Sequence, residues 1–518
     1  MSRPGLIGRS GTVSARSVVP RPALFVAATG ALAVALLPLV YLLIRTGEAG
    51  LGRIADEVLT RRVAELAGRS IALMVVVTVA CTVVGVAAAF LVTRTDLPMR
   101  GAFGVLAALP LAVPTYVAGF AWIATVDGFE GFWAAALVLT LCSYPYVYLP
   151  VAAALAAADP AQEEVARSLG RGPWRTLTTV TLQQARPAIA GGALLVALYT
   201  LSDFGAVSIL RTDTFTRAIF TAFNLGFDRT GALVLSTVLV LLTMVLLGLE
   251  LVSRTRGARY AGGGPRRPAT RFHLGRLRIP AVSALVAVGL FALGVPAASL
   301  VRWSIAGASR PGTLAEIGAA AGNTLSVSLG GALLTLLLAL PVGLLTARAP
   351  GPIATLVDRL SYLAHALPGI VIGLSLVFFG IAVAYPLYQT VWLLALGYAT
   401  LFLPLAVAAV TGAAVQAPPV LDEVARSLGR SPFVVLTSVT LPLMVRGIGA
   451  GAALVFLTCV KELPATLLLR PTGMDTLATE LWTHTSTASY AAAAPYAALL
   501  VGVAAIPTWL LGRRTGLT

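Results

Sequence analysis

One nine-residue stretch occurs twice in the chain, and the rest of the sequence is organised around it. Residues 163–171 read Glu-Glu-Val-Ala-Arg-Ser-Leu-Gly-Arg, and residues 422–430 read Asp-Glu-Val-Ala-Arg-Ser-Leu-Gly-Arg. Eight consecutive residues are identical, and the copies lie 259 residues apart (423 − 164), half the length of the 518-residue chain. The same spacing relates Arg211 to Arg470. Self-similarity at a fixed spacing predicts two structurally equivalent halves.

The residues around the first copy predict a short helix followed by a turn. The segment Asp159–Gln162 supplies an N-cap residue, a proline at the first helical position and a glutamine at N3, which is a capping-box pattern. Gly170 is expected to end this helix, and Pro173 is expected to begin the next one. The sequence therefore predicts a helix–turn–helix elbow that exposes Glu164 and Arg167.

The composition around the two elbows is that of a membrane protein. Hydrophobic residues make up 58% of the chain and charged residues 11%, and the mean hydropathy is +0.90. Soluble proteins carry about 25% charged residues, so a cytosolic enzyme, a disordered chain and a nucleic-acid-binding protein are excluded. The apolar runs are continuous rather than alternating, which excludes a transmembrane barrel. The predicted fold class is an all-α polytopic membrane protein.

Twelve apolar runs are long enough to cross a bilayer, which requires about 20 residues. Six lie in each half, so the halves share one orientation and are parallel repeats about an axis along the membrane normal. The predicted spans are Ala23–Ile44, Ser70–Thr93, Gly101–Val126, Gly131–Ala158, Pro187–Leu210, Thr230–Leu249, Ile279–Val301, part of Ile317–Ala347, two within Leu360–Leu421 that separate at Tyr385–Gln389, Gly447–Leu469 and most of Leu481–Gly512. Seven prolines are expected to interrupt helices, namely Pro110, Pro114, Pro145, Pro150, Pro368, Pro404 and Pro464.

Three regions follow from this count. Residues 1–253 form the first six-span half, with its elbow near 159–187, and residues 279–518 form the second half, with its elbow near 418–446. Residues 254–278 are rich in arginine and contain Gly262–Pro265, which predicts a flexible basic linker. Arginine falls mainly on one set of loops, and by the positive-inside rule that set is cytoplasmic together with both termini and both elbows.

The chain lacks the residues for hydrolysing ATP itself. A phosphate-binding loop needs a Gly-Lys-Ser/Thr sequence, and the single lysine, Lys461, stands between Val460 and Glu462. Energy must come from a partner or from an ion gradient, and two equivalent elbows favour a partner that is itself a symmetric dimer. An intramembrane enzyme is disfavoured because His273, His365 and His484 are far apart in the sequence. We expect no catalytic residue and no metal site, and expect Cys81, Cys142 and Cys459 to be buried.

Two acidic residues fall inside predicted spans at equivalent positions. Asp203 and Glu462 are related by the 259-residue spacing (203 + 259), and each is expected well inside the fifth span of its half. A charge at the bilayer centre costs at least ~2.5–3.5 kcal/mol, so Asp203, Glu462 and Lys461 are candidates for lining a polar translocation path. The alternative is structural, with Lys461 paired to Glu462 or Asp203 capping a helix end. In a gradient-driven secondary transporter the two carboxylates would serve as ion relays.

The elbows resemble the EAA motif of ABC importer permeases. That motif consists of Glu-x-Ala, a glycine four residues later and a downstream hydrophobic-Pro pair, which is Leu441-Pro442 in the second copy; in the first copy Gln183 stands in place of the proline. The resemblance implies that each elbow is a coupling helix that docks on an ATP-hydrolysing subunit. It assigns this role to Glu163, Glu164, Ala166 and Gly170 in the first half and to Asp422, Glu423, Ala425 and Gly429 in the second.

Further segments resemble the iron(III) importer permeases. They are Pro114–Trp122, Ser202–Gly205, Asp213–Arg217, Lys461–Thr466 and Asp475–Ala478. The resemblance implies import of ferric iron across the bacterial inner membrane, an ATPase dimer that uses the ATP, a solute-binding protein on the outer side and no cofactor bound by this chain. Importers of thiamine, phosphonates, polyamines or oxyanions share parts of these segments and remain alternatives. The expected partners also include the lipid bilayer but no nucleic acid.

Overall fold

Helices make up nearly all the regular structure in the computed structural model, which describes residues 21–48, 50–158, 160–254, 271–306, 312–349, 351–365 and 367–514. The first half contains α1 (Arg21–Glu48), α2 (Leu51–Val58), α3 (Arg61–Arg94), α4 (Arg100–Ala108), α5 (Thr115–Ile123), α6 (Phe132–Ser143), α7 (Pro145–Ala156), α8 (Pro160–Ser168), α9 (Pro173–Thr176), α10 (Leu182–Ser202), α11 (Gly205–Ile209), α12 (Phe215–Asn224) and α13 (Arg229–Arg254).

The second half repeats this order. It contains α14 (Arg278–Gly289), α15 (Val295–Ala306), α16 (Leu314–Arg348), α17 (Pro352–His365), α18 (Gly369–Ala382), α19 (Val391–Gln416), α20 (Pro419–Ser427), α21 (Pro432–Val435), α22 (Leu441–Val460), α23 (Pro464–Leu469), α24 (Leu477–Ser486) and α25 (Tyr490–Arg514). Short 3₁₀ turns lie at Leu109–Ala112, Gly275–Leu277 and Tyr385–Leu387, and π-helical turns lie at Leu177–Thr181, Leu290–Gly294 and Leu436–Thr440.

The helices long and apolar enough to cross a membrane agree with the predicted architecture. Nine such helices occur in the described ranges, and a tenth crossing is the pair Arg100–Ala112 and Thr115–Ile123, which is bent by 90°. Two shorter apolar helices, Gly369–Ala382 and Tyr490–Ala504, complete six crossings in each half. The all-α fold with about twelve spans is therefore confirmed. The termini 1–20 and 515–518 and linker residues 255–270 lie outside the described residues, so predictions on them are not assessed.

A proline breaks the third span of each half at the same place. Pro114 precedes α5 with φ −61° and ψ 142°, and Pro368 precedes α18 with φ −60° and ψ 142°. Proline has no N–H to donate and disfavours helical geometry in the residue before it. The interruptions predicted at these two prolines are therefore present. The predictions for Pro150 and Pro404 are wrong, since these prolines lie inside the continuous helices α7 and α19.

Helix α10 packs closely on α7 through a glycine. A Cβ atom on Gly192 would lie 2.8 Å from Val147 Cα and 2.9 Å from Tyr146 O, and both of these are backbone atoms. A Cβ on the neighbouring Gly191 would meet no atom within 4 Å. Small residues at helix contacts allow backbones in a membrane to approach each other closely. Gly192 therefore fixes the separation between these two spans.

The first span of each half packs on the opposite half. Helix α1 lies against α16, α17 and α18, and Tyr41 Oη donates a 3.1 Å hydrogen bond to Phe378 O. In the other direction α15 lies against α5, and Trp303 Nε1 donates to Ala124 O at 2.9 Å. The two halves are therefore interleaved, and the division into regions at residues 254–278 stays a prediction about the sequence repeats.

Candidate functional site at the elbows and between the halves

The two elbows have the same backbone. Helices α8 and α20 are each followed by a glycine with positive φ, +78° at Gly170 and +81° at Gly429, a conformation that favours glycine over other residues. A short helix, a π-helical turn and a long span follow in both copies. The helix–turn–helix prediction is confirmed, although Asp159, its proposed N-cap, lies outside the described residues. The replacement of the motif proline by Gln183 does not move the start of the following helix, since α10 and α22 begin at the equivalent residues Leu182 and Leu441.

One side of each elbow is exposed and partly apolar. Leu169 and Leu428 are 74% and 75% exposed, and Glu164 is exposed while Glu423 is half-buried. Exposed leucines beside an acidic residue are the kind of surface that another protein covers. The prediction that Glu164 faces outward is confirmed, and Arg167 is partly covered.

The acidic residue that precedes each motif points inward instead. Glu163 is fully buried, and its carboxylate forms an ion pair with the buried Arg94. Thr181 Oγ1 donates to Glu163 Oε1 at 2.8 Å, and Arg94 Nη1 donates to Leu155 O at 3.4 Å. An Arg–Glu pair out of water persists only with good geometry and additional hydrogen bonds. Glu163 therefore fastens the elbow to the last residue of α3, and its coupling role stays a prediction.

The second half contains an equivalent buried ion pair between its elbow and its second span, and we call each of these two pairs a clamp. Arg348 ends α16 as Arg94 ends α3, and its Nη2 lies 3.5 Å from Asp422 Oδ2. The same Nη2 donates to Ala417 O at 3.0 Å, and Thr440 Oγ1 donates to Asp422 Oδ1 at 2.9 Å. From the sequence, both arginines are expected only among the charges of the cytoplasmic loops. Their place as the last residue of the second span in each half was the signal that could have identified them.

The end of the linker lies against the first elbow. Phe272 N donates to Arg94 O at 2.8 Å, and the Arg167 guanidinium lies 5.4 Å from the Phe272 ring centroid. Leu274 N donates to Asp96 Oδ1 at 2.9 Å, and His273 Nδ1 lies 3.2 Å from Asp96 Oδ2. The hydrogen bond from Leu274 N–H is the main cause that lowers the pKa of Asp96, and the hydrogen bond with His273 lowers it further.

Asp203 lies at the end of a helix, not inside a span as predicted from its apolar surroundings. Helix α10 ends at Ser202, and Asp203 takes extended backbone geometry. Its Oδ1 accepts from Ala206 N at 3.0 Å and from Val207 N at 3.3 Å, while Thr115 Oγ1 donates to its Oδ2 at 2.6 Å. The unpaired N–H groups that begin α11 explain the position, since a carboxylate satisfies them without water.

Glu462 has the equivalent position, and the prediction that it lies inside a span is likewise corrected. Helix α22 ends at Val460, Pro464 begins α23, and Glu462 Oε1 accepts from Ala465 N at 3.0 Å. Lys461 Nζ donates across the halves to Leu111 O at 3.3 Å, within the broken third span of the first half. Helix capping, the alternative given for Asp203, thus describes both carboxylates, whereas Lys461 forms no ion pair with Glu462 in the part of the chain that the structure describes. The assignment of Asp203, Glu462 and Lys461 to the path stays a prediction.

The remaining polar side chains do not assemble a metal site in the described ranges. No group of three or more His, Cys, Asp or Glu residues comes together there. The three cysteines are buried, as predicted. His484 lies 3.3 Å from Glu480, and His273 contacts Asp96, so these two belong to separate clusters.

Known proteins match the chain over both halves. The family described as "Binding-protein-dependent transport system inner membrane component" matches residues 82–253 and 339–513, and each match contains one elbow. The chain is 39% identical over 480 residues to the Fe(3+)-transport system permease protein FbpB 2 of Haemophilus influenzae, across 92% of this chain and 95% of that protein.

Permeases for two oxyanion cargoes match less than half of the chain. The sulfate transport system permease protein CysT of Escherichia coli is 29% identical over 202 residues, which is 35% of this chain and 73% of that protein. The molybdenum transport system permease protein ModB of Azotobacter vinelandii is 34% identical over 149 residues, which is 26% of this chain and 66% of that protein.

Proposed function

Because the chain belongs to the family of binding-protein-dependent transport system inner membrane components, we propose that it forms the translocation path of a ferric iron importer. It is a multi-pass membrane permease and not an enzyme. In the proposed complex a separate ATPase dimer on the cytoplasmic side docks on the two elbows and hydrolyses the ATP. A solute-binding protein delivers the cargo on the opposite face, and both termini are cytoplasmic.

Full-length similarity to an iron(III) permease supports the choice of cargo. The iron(III) relative matches both halves of this chain, while the sulfate and molybdenum permeases match about a third of it or less. Import of thiamine, a phosphonate, a polyamine or an oxyanion is the alternative within the same family. Binding-protein dependence favours a partner-driven transporter over the ion-gradient alternative.

The elbow geometry supports the proposed coupling. The exposed leucines and Glu164 offer a docking surface, while the buried pairs of Arg94 with Glu163 and Arg348 with Asp422 tie each elbow to the end of a long span. Movement of an ATPase subunit would thus be passed to α3 and α16 as well as to α10 and α22. Glu163, Ala166, Gly170, Asp422, Ala425 and Gly429 shape the elbow, and Glu164 and Glu423 face the partner.

Charge reversal on the docking surface tests the coupling. Glu164→Arg combined with Glu423→Arg should lower cargo-stimulated ATP hydrolysis and uptake by at least about tenfold, because a reversed charge at an interface costs several kcal/mol. The amount of protein in the membrane should not change. Asp56→Arg, an exposed acid on α2 far from the elbows along the chain, is the matched control. Wild-type stimulation in the double variant contradicts the docking role.

Direct uptake tests the cargo. Vesicles containing this permease and its ATPase, supplied with the binding protein and ATP, should accumulate radiolabelled ferric iron. Sulfate, molybdate, thiamine, a phosphonate and a polyamine serve as competitors in separate reactions. Accumulation of one of these competitors instead of iron would identify the alternative cargo.

A further inference from the structure

Two short helices on the face opposite to the elbows are equivalent in the two halves. Helices α12 and α24 each have ten residues and an extended threonine before them, Thr214 and Thr476. The first N–H of each helix donates to a hydroxyl on the second span of its half, Ser70 Oγ at 3.2 Å or Thr324 Oγ1 at 2.9 Å. A residue of α12 therefore corresponds to the residue 262 positions later (476 − 214).

By this correspondence Phe220 and Trp482 are equivalent (220 + 262), and they contact each other. Their ring centroids lie 5.3 Å apart with an interplanar angle of 75°, which is an edge-to-face arrangement. Two residues that a two-fold axis exchanges can touch only beside that axis. The path between parallel repeats follows the same axis, so this aromatic pair lies across it.

The indole of Trp482 is also fixed to the first half. Its Nε1 donates to Ser208 Oγ at 2.8 Å, and its ring lies 6.3 Å from the ring of Phe204. The ring of Phe204 in turn lies 5.0 Å from the ring of Phe220, so two aromatic rings of the first half pack against the indole. Phenylalanine has no N–H to donate, so position 220 cannot make the equivalent hydrogen bond to the second half.

Asp203 orients the partners of Trp482. Its carboxylate accepts from the first-turn N–H groups of α11, the helix that carries Ser208. Its carbonyl accepts from Thr216 Oγ1 at 2.6 Å, which holds α12 beside it. Through its carboxylate and its backbone carbonyl, Asp203 therefore positions the two helices of the first half that contact Trp482.

We propose that Phe220 and Trp482 close the translocation path on the face opposite to the elbows, with the Trp482–Ser208 hydrogen bond as the latch. This inference rests on the proposed function, since a closure requires a path. A ring pair on the axis presents no polar group to replace the hydration shell of an ion. One hydrogen bond and one ring contact can be broken and remade as the halves separate and rejoin.

Crosslinking tests whether the contact opens. Phe220→Cys with Trp482→Cys, in a background with Cys81→Ala, Cys142→Ala and Cys459→Ala, is treated with a short bis-methanethiosulfonate, which forms one disulfide with each cysteine and releases sulfinate. In the complex with the ATPase and binding protein, crosslinking should be efficient without nucleotide and several-fold lower with a non-hydrolysable ATP analogue. The closed crosslink should abolish uptake until it is reduced. Phe204→Cys with Phe220→Cys, a pair within the first half, is the control and should crosslink equally in both conditions.

Equal crosslinking of the 220–482 pair in both conditions, or normal uptake by the crosslinked protein, overturns the proposal. The readout does not depend on iron, so an importer of another cargo would give the same crosslinking result. If no ATPase associates with the chain, the proposed function fails separately, and the closure is then judged by the leak assay below.

A leak assay tests the seal without nucleotide or cargo. Vesicles that contain the Trp482→Ala variant should release encapsulated rubidium ions several-fold faster than vesicles with the wild type. Ser208→Ala should cause a smaller increase in the release rate. Trp482→Phe keeps the ring and loses only the latch, so it should resemble Ser208→Ala. Wild-type leak in Trp482→Ala, with normal folding by thermal unfolding, contradicts the seal. A lowered thermal midpoint with no leak assigns the residue to packing and also overturns the proposal.

Discussion

The Arg94 guanidinium is held where water does not reach it. It is fully buried, as is its partner Glu163, and 69 residues separate the two in the sequence. Removing one member of such a pair leaves an uncompensated buried charge, whereas replacing both with apolar groups of similar volume is often tolerated. The clamp should therefore respond very differently to single and double substitutions.

Single substitutions in this clamp should be strongly destabilising. Arg94→Met or Glu163→Leu alone should lower the free energy of unfolding by about 3–5 kcal/mol, and the double variant should lose less than the sum. Thermal or denaturant unfolding of the purified transporter measures the effect. Arg171→Met is the control, because Arg171 is exposed on the same elbow and its loss should cost less than about 0.5 kcal/mol. Additive losses would show that the two charges do not depend on each other.

Adjacent residues of the repeat show how far sequence could predict the site. The motif and the helix end at Gly170 predicted an exposed Glu164, which the structure confirms. The inward orientation of Glu163 could not be predicted in the same way, because its partner comes from a distant span. A single sequence does not show which of two neighbouring acids finds a buried arginine.

At the scale of elements, chain breaks signalled by proline were predictable and one signalled by a side chain was not. Pro114 and Pro368 marked the broken third spans correctly. The apolar run Pro187–Leu210 gave no sign that α10 ends at Ser202, because hydropathy continues through α11. The break depends on Asp203 accepting hydrogen bonds from the next helix, which is a local geometry that hydropathy does not report.

The contact between α10 and α7 gives a prediction with an adjacent control. Gly192→Ala places a Cβ against backbone atoms of α7, so it should destabilise the protein by about 1–3 kcal/mol through overpacking. Gly191→Ala meets open space and should be neutral or stabilising by up to about 1 kcal/mol, since alanine favours helix more than glycine. Thermal midpoints of the two variants provide the comparison. Equal midpoints would mean that α10 can move away from α7 at no cost.

At the scale of the whole molecule, the repeat spacing predicted two equivalent halves, and the structure adds that their first spans are exchanged. The sequence of α1 does not predict which helices it packs against, because an apolar helix without a motif fits many surfaces. Its contacts with α16, α17 and α18 are a property of the assembled bundle. The exchange makes the interface between the halves larger than side-by-side bundles would give.

Separately made halves should therefore assemble. A chain cut within residues 255–270 and expressed as two pieces should co-purify and support uptake near the level of the intact protein. A first piece that begins at Gly50, and so lacks α1, should co-purify much less with the second piece, because Tyr41 and its neighbours no longer cover α18. Affinity capture of one tagged piece measures the other. Equal recovery with and without α1 would show that the exchanged spans add nothing to assembly.

The exchange of first spans also determines how long α1 exists during biosynthesis before the helices it packs against are made. Tyr41 and its acceptor Phe378 lie 337 residues apart, and a ribosome adds about 5–20 residues per second. The nascent first span therefore stays in lipid for roughly 20–70 s before its docking site emerges. During that interval an insertase or the lipid itself must shield the face of α1 that later meets the second half.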